Sequence, residues 1–333
     1  MIIVTGGAGF IGSNLVAGLE DHGHKDLVVC DTLGQEDKWR NIGKRELRDI
    51  VHPHSLLEYL DSHIGKIDAI FHMGAVSSTT ERDADLITEN NFSYSRNLWR
   101  WCAAHDVRFI YASSAATYGD GGQGFKDDDT PEFLAKLHPL NPYGWSKQLF
   151  DRRVSRLTHG GAAGSGEKLP PQWAGLKFFN VYGPNEYHKG DQMSVCCKLF
   201  PQASAGAAAR LFKSNNLKCS DGGQTRDFVY VDDCVSVMLW LYDHPKVSGL
   251  FNVGTGKGRS FKDLAEAVFK ALNKPSKITY IDMPQQLSGK YQYYTQADMT
   301  KLRAAGYDKP FTELEEGVRR YVQDFMATED PYR

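Results

Sequence analysis

The sequence contains no apolar run approaching the roughly 20 residues that a membrane-spanning helix requires. Its six cysteines, at positions 30, 102, 196, 197, 219 and 234, include no CxxC pair. That argues against a disulfide framework or a zinc site and for reduced cysteines used in packing, so no metal is expected. Charge of one sign is also missing: 39 basic and 41 acidic residues leave a formal net charge of -2. Neither a basic field for nucleic acid nor a polybasic patch for a membrane surface is present. No internal repeat and no clean linker interrupt the 333 residues, a length that supports a large core. The sequence opens directly on a strand pattern, so no signal peptide and a cytoplasmic location are expected.

What is present organises around the stretch MIIVTGGAGFIG. Met1 to Val4 read as a buried strand, Gly6, Gly9 and Gly12 as a tight turn, and Phe10–Leu19 as a helix. A glycine turn leading into a helix N-terminus offers backbone N–H groups and a positive dipole to a pyrophosphate. Glycines in this context therefore predict a dinucleotide site. Leu27–Cys30 reads as the next strand, and Asp31 at its end stands where a cofactor ribose hydroxyl is held. Lys38 either meets a 2′-phosphate or is simply solvated. A third strand over Leu47–Val51 would bring Asp49 and Ile50 near the adenine, and Ser55–Ile64 reads as a helix. After the strand Ala69–His72, Gly74 and Ala75 are small enough for close passage of a cofactor. A long helix is expected over Ala84–Ala104. Asn90 and Asn91 on it bond a loop or the cofactor, or are merely exposed.

Phe109–Ala112 reads as a strand ending in SSAATYG, followed by a polar surface loop over Gly119–His138 and a helix over Tyr143–Leu157. His159–Gln172 reads as a flexible insertion without chemistry. Leu176–Asn180 is a further strand. Beyond it, short helices near 193–209, 261–272 and 311–326 mingle with strands near 227–231, 250–253 and 277–281, and Thr328–Arg333 reads as a frayed tail. The alternation predicts an α/β fold, a doubly wound parallel sheet with ligands at the strand carboxyl ends. The expected division is a dinucleotide-binding domain over 1–175, with chain returns from the second half. A smaller mixed α/β substrate domain then covers 176–333.

Ser114, Tyr143 and Lys147 carry the reactive chemistry. Tyr143 and Lys147 are four residues apart at a helix start and share a face. A free phenol is a poor base at neutral pH, and a nearby cation favours the phenolate. Such a tyrosine takes a proton from a sugar hydroxyl while hydride leaves the carbon for a nicotinamide, and Ser114 bonds the reacting oxygen. A YxxxK pair alone is a common surface pattern; its place after a glycine fingerprint and a Ser-Ser strand end gives it meaning here.

TGGAGFIG, SSAATYG and YGWSK resemble the extended short-chain dehydrogenase/reductases that act on nucleotide sugars. NVYGP and RDFVYVDD carry the resemblance into the second half. It implies a Rossmann domain with a smaller C-terminal domain and Tyr143 as acid/base. The family's 4,6-dehydratases have an acidic pair where this chain has Ala115 and Ala116, so dehydration is discounted. The stretches FHMGAVSSTTE, FFNVYGPNEYHKG, FNVGTGKGRSF and YTQADMTKLRAAGYDKPF are similar to the ADP-L-glycero-D-manno-heptose 6-epimerase branch. That resemblance implies redox epimerisation of an ADP-heptose at carbon 6, in lipopolysaccharide core precursor synthesis. Another nucleotide-sugar epimerase or reductase, such as a UDP-hexose 4-epimerase, is the alternative.

The same resemblance implies Lys189 as a second acid/base. It also implies cofactor contacts at Phe10, Ile11, Asp31, Thr32, Lys38, Met73, Gly74, Ala75, Val76, Ser77, Asn90, Lys147 and Val181. Substrate contacts fall at Ser114, Asn180, His188, Arg226 and Tyr291. The implied cofactor is NADP. Departures at Met73–Ser77, and Pro53 where the branch has a second basic residue, leave NAD open. A homo-oligomer, with a pentamer among the options, is implied as well.

Overall fold

Segments such as IIVT, LVVC and AIFH are buried along their whole length, as expected of strands covered by helices on both faces. The computed structural model describes residues 1–160, 166–217, 219–283 and 292–333. The strands are β1 (Ile2–Thr5), β2 (Leu27–Cys30), β3 (Asp49–Val51), β4 (Ala69–His72), β5 (Arg108–Ser114), β6 (Trp173–Phe178), β7 (Asn180–Tyr182), β8 (Ala209–Phe212), β9 (Thr225–Tyr230), β10 (Gly249–Val253), β11 (Gly258–Ser260) and β12 (Ile278–Ile281). The helices are α1 (Phe10–Asp21), α2 (Leu56–Ser62), α3 (Ala84–Ile87), α4 (Tyr94–Ala104), α5 (Pro131–Leu134), α6 (Pro142–His159), α7 (Val195–Ser204), α8 (Val231–Asp243), α9 (Phe261–Ala271), α10 (Thr300–Ala304) and α11 (Leu314–Arg320).

One sheet runs β10-β6-β5-β4-β1-β2-β3 with every pairing parallel. The order reverses beside β1, which places the ligand crevice between the carboxyl ends of β1 and β4. Residues from α1 and α8 pack on one face of this sheet, and residues from α2, α4 and α6 on the other. A second layer holds the mixed sheet β11-β9-β7, the pair β12-β8, and α7, α9 and α11 around their own core. The 175/176 division falls inside β6. The chain then returns to the first layer as α8 and β10.

The expected helix over 84–104 is interrupted at Thr88–Ser93 by a wider π turn that carries Asn90 and Asn91. Three expected loops are more ordered than their composition suggests. Within Gly119–His138, α5 forms, Leu134 and Leu137 are buried, and Asp127 accepts the Asn252 amide at 2.8 Å. In the expected insertion, residues 161–165 lie outside the described residues. Glu167 pairs with Arg153, while buried Gln172 donates to the Leu241 and His244 carbonyls at 2.8 and 3.0 Å and closes the end of α8.

Thr328–Arg333 is anchored rather than frayed. The Arg333 amide donates to Asn185 Oδ1 at 3.0 Å, and its guanidinium reaches Asp232 and, at 3.6 Å, Asp21. Tyr332 is buried between the Arg40 guanidinium and Tyr187. Ionic and aromatic partners outside the segment overcome its weak local propensity. Arg333→Ala is expected to cost about 1 kcal/mol, discounted for the solvent exposure of both carboxylates, and to lower Tm by ~2 °C in a calorimetric melt.

Candidate active site

The first turn of α1 has Gly9 at its N-cap and no side-chain cap, so its N–H groups are available to a ligand. Gly6 has φ +64°, and a Cβ there would lie 2.5 Å from the Gly74 nitrogen. A Cβ on Gly12 would lie 2.1 Å from the Gly6 carbonyl oxygen. Only glycine fits either position, and the cradle fits a dinucleotide pyrophosphate. Beyond β2, Asp31 Oδ2 accepts the Ala8 amide at 2.9 Å while Oδ1 holds the Lys38 ammonium at 2.6 Å. Lys38 also donates to the Thr32 carbonyl at 2.9 Å. Its charge is thus fixed at the end where an adenosine ribose fits, not left in solvent.

From this cradle a cleft of about 690 Å³ runs between the layers. It gathers Gly6, Gly9, Phe10, Ile11, Gly12, Asp31, Lys38, Met73, Gly74, Ala75, Val76 and Ser77 at the dinucleotide side. Ser114, Tyr143, Lys147, Asn180, Val181, His188 and Lys189 line its middle. Four expected residues stand apart from the wall. Asp49 begins β3, and its carboxylate accepts the amide of Ile50; it borders a separate depression with Trp39 and Arg45. The carboxyl end of β3, not its start, faces the crevice. Asn90 is exposed and bonds the Leu86 carbonyl. Its neighbour Asn91 is buried and clamps the amide and carbonyl of Val76 at 2.8 and 2.9 Å. Thr32 turns its amide onto Asp31. Arg226 is buried behind the wall, over the Phe261 ring that lines the cleft. Asp227 caps the turn at Thr255 and Gly256. Tyr291 lies outside the described residues.

At the carboxyl end of β5, Ser114 hydrogen-bonds the Tyr143 side chain. Burial holds the phenol above its ordinary pKa, Ser114 draws it down, and Asp151 pushes it up. The direction opposes the expected phenolate, and the Lys147 ammonium donates a hydrogen bond to the Ala112 carbonyl at 2.8 Å. Burial lowers the Lys147 ammonium to about 8, against the opposing pull of Asp151. Across the cleft, burial also lowers Lys189, whose ammonium lies 5.0 Å from the centre of the Phe10 ring; Glu186 opposes that shift. His188 is pushed down to about 4 by burial, then by Lys38 and Lys189.

Several supporting residues were not foreseen. His72, pushed to about 3 by burial and then by Lys147, bonds the Thr5 and Ser95 hydroxyls at 2.6 and 2.8 Å. Lys177 and Asp151 form an ion pair at 2.8 Å with neither side chain exposed. The signal for both was polar side chains inside otherwise apolar strands, AIFH and WAGLKF. Gln192, Met193, Ser194 and Val195, in a segment with no readable motif, complete the substrate side of the cleft.

Residues 2–254 match the NAD dependent epimerase/dehydratase family. An ADP-L-glycero-D-manno-heptose-6-epimerase of Nitratidesulfovibrio vulgaris is 52% identical over 334 residues, covering 100% of both chains. One from Fusobacterium nucleatum is 48% identical over 340 residues, again with 100% of each covered. The solved structure of the Helicobacter pylori ADP-L-glycero-D-manno-heptose-6-epimerase shares 29% identity and superposes with a TM-score of 0.75, over 97% of this chain and 95% of that one. With its glycine cradle, its Ser114–Tyr143–Lys147 cluster and these full-length matches, the chain belongs to the NAD dependent epimerase/dehydratase family, in the branch of the ADP-L-glycero-D-manno-heptose-6-epimerases.

Proposed function

We propose that this protein interconverts ADP-D-glycero-D-manno-heptose and its L-glycero epimer at carbon 6, using NADP, in the supply of lipopolysaccharide core precursors. The observation that carries this reading is the pairing of two ionisable groups in one cleft. Tyr143 comes from α6, and Lys189 comes from the turn Tyr187–Gln192 of the other layer. An epimerase must accept and return a proton on an oxygen that points in different directions in its two substrates, which two such groups can do.

A nicotinamide dinucleotide held by the cradle of Gly6, Gly9 and Gly12, with Asp31 and Lys38, would supply reversible hydride acceptance at carbon 6. Tyr143 accepts the hydroxyl proton as the carbon–oxygen double bond forms; its phenolate, disfavoured by burial alone, would be favoured by the positive charge of a bound oxidised nicotinamide. Ser114 donates to the same oxygen and holds it against Tyr143. Lys189, as ammonium, returns a proton to the carbonyl oxygen as the other epimer forms. The roles exchange in the reverse direction, and no net oxidation results. Ala115 and Ala116 follow Ser114 in the turn after β5 and offer no carboxylate for eliminating water. At the ribose end, Lys38, positioned by Asp31 and the Thr32 carbonyl, is the cation placed to meet a 2′-phosphate.

Proton NMR of ADP-D-glycero-D-manno-heptose with the protein and catalytic NADP+ is expected to show the L-glycero epimer without net NADPH. Persistence of the starting sugar would overturn the assignment. Tyr143→Phe is expected to lower kcat by about 10²–10⁴-fold while the Kd for NADP+ stays within about twofold. Lys189→Met is expected to cut epimerisation similarly while leaving a single hydride transfer measurable in a pre-steady-state burst. Lys38→Ala is expected to weaken NADP+ by ~10-fold or more and to leave NAD+ nearly unchanged, as read by fluorescence titration.

A further inference from the structure

Tyr143, Lys147 and Asp151 are spaced four apart along α6 and share one face. The first two line the cleft and the third lies directly beneath it. Asp151 accepts hydrogen bonds from Lys177 of β6 at 2.8 Å, from the Ser113 hydroxyl at 2.6 Å and from the Tyr111 hydroxyl at 3.1 Å. Lys177 also donates to the Thr117 hydroxyl at 2.6 Å and lies 5.0 Å from the centre of the Tyr118 ring. Ser113 and Lys177 are register partners on β5 and β6, and Thr117 returns to the Ser114 carbonyl at 2.8 Å. Every atom of this cluster is therefore tied to the strand end that presents Ser114.

A buried ion pair of this kind rarely outperforms apolar residues of equal size in stability. Its position at the floor of the cleft gives it a different use. The anionic end is one helical turn from Lys147 and two from Tyr143, and the cationic end is on the far strand. We propose that the Asp151–Lys177 pair is the charge balance that sets the protonation of the Tyr143–Lys147 couple, both members acting as positioning residues that never touch substrate. This deepens the function proposed above and rests on Tyr143 being its acid/base.

The other groups facing the couple do not supply this balance. From β4, His72 is neutral at working pH and contributes hydrogen bonds only. From β5, Ala112 and Ser114 contribute a carbonyl and a hydroxyl. Asp129, which acts on Tyr111 from the segment before α5, is itself paired with Lys301 at 2.8 Å. Asp127, which acts on Tyr118, accepts the Asn252 amide at 2.8 Å. The sign then follows for each partner. Neutralising Lys177 leaves an unopposed anion below Tyr143, so the phenol binds its proton more tightly. Neutralising Asp151 leaves an unopposed cation, and the phenol releases its proton more readily.

The test is the pH dependence of kcat/KM for ADP-D-glycero-D-manno-heptose, with NADP+ loaded, in Lys177→Met, Asp151→Asn and the double variant. The acidic limb is expected to move alkaline in Lys177→Met and acidic in Asp151→Asn, each by ~1 pH unit. The double variant and Lys177→Arg are expected to titrate with the parent. A second measurement reads the Tyr143 phenolate directly, as the ultraviolet difference between each protein and the same protein carrying Tyr143→Phe. Should both single variants fail to fold, Ser113→Ala and Thr117→Val decide instead: each keeps both charges but removes one hydrogen-bond partner, of Asp151 and of Lys177 respectively, so the limb must move alkaline in the first and acidic in the second by a smaller amount. Limbs that stay in place, or that move the same way in both single variants, would overturn the proposal. Full turnover in Tyr143→Phe would instead overturn the assignment of the base, which separates the two failures.

Discussion

Asp151 and Lys177 have no exposed side-chain surface, and each charge is costly in that position without the other. This mutual need fixes more than one pair. A buried lysine near the carboxyl end of the apolar strand β6 is tolerable only if α6 brings a carboxylate to it. That requirement sets the rotation and height of α6 against the ends of β5 and β6. Lys147 and Tyr143, one and two turns above, then point into the cleft as a result. The Tyr111 and Ser113 hydroxyls, on one face of β5, complete the carboxylate's partners. The geometry of the reactive groups is thus inherited from the satisfaction of a buried charge.

The opposite wall is held by neutral hydrogen bonds. Asn14 of α1 donates to the Pro184 carbonyl, Asn41 donates to the Ala8 and Asn185 carbonyls, and Asn185 donates to the Ser13 hydroxyl and the Asn41 carbonyl. Asn41 also reaches His188 at 3.1 Å. Three amide side chains, distant in sequence, thereby join the glycine cradle, the segment bearing Lys38 and the turn bearing Lys189. Asn185 adopts φ +71° to serve this junction, a conformation that asparagine tolerates better than most residues. Buried Glu186 closes the same turn by accepting from the Ser194 hydroxyl at the start of α7. The two proposed acid/base groups, Tyr143 and Lys189, are consequently suspended from different frameworks on the walls of one cleft.

What the sequence disclosed and what it hid follow from this division. The cradle was readable because glycines between a strand and a helix serve few other purposes. The Tyr143–Lys147 pair was readable because helical spacing converts directly into a shared face. Which of Asn90 and Asn91 clamps Val76 was not legible, because a π turn shifts which side of a helix faces inward and leaves no local mark. Asp49 was placed near the adenine because the strand was expected to run further toward the N-terminus, which moved its ends. Composition also misjudged the segments around Asp127, Gln172 and Arg333. Each contains glycine, proline or charge, and each is ordered by a partner on a remote element. The lysine of WAGLKF, like the histidine of AIFH, was an unread clue: a charge inside a buried strand demands a counter-charge, and the helix carrying Asp151 was already in view.

The seventh strand of the main sheet has a further meaning. Gly249 pairs with Ala174 only after the chain has passed through the second layer and come back. During synthesis the edge of β6 therefore stays open until residues beyond Val253 have emerged, and non-local closure of this kind slows folding and exposes a strand edge meanwhile. The same interlacing bears on ancestry. A gene segment encoding either layer alone would leave an unfinished sheet or an unsupported α8, so the two layers can be inherited, exchanged or fused only as one piece.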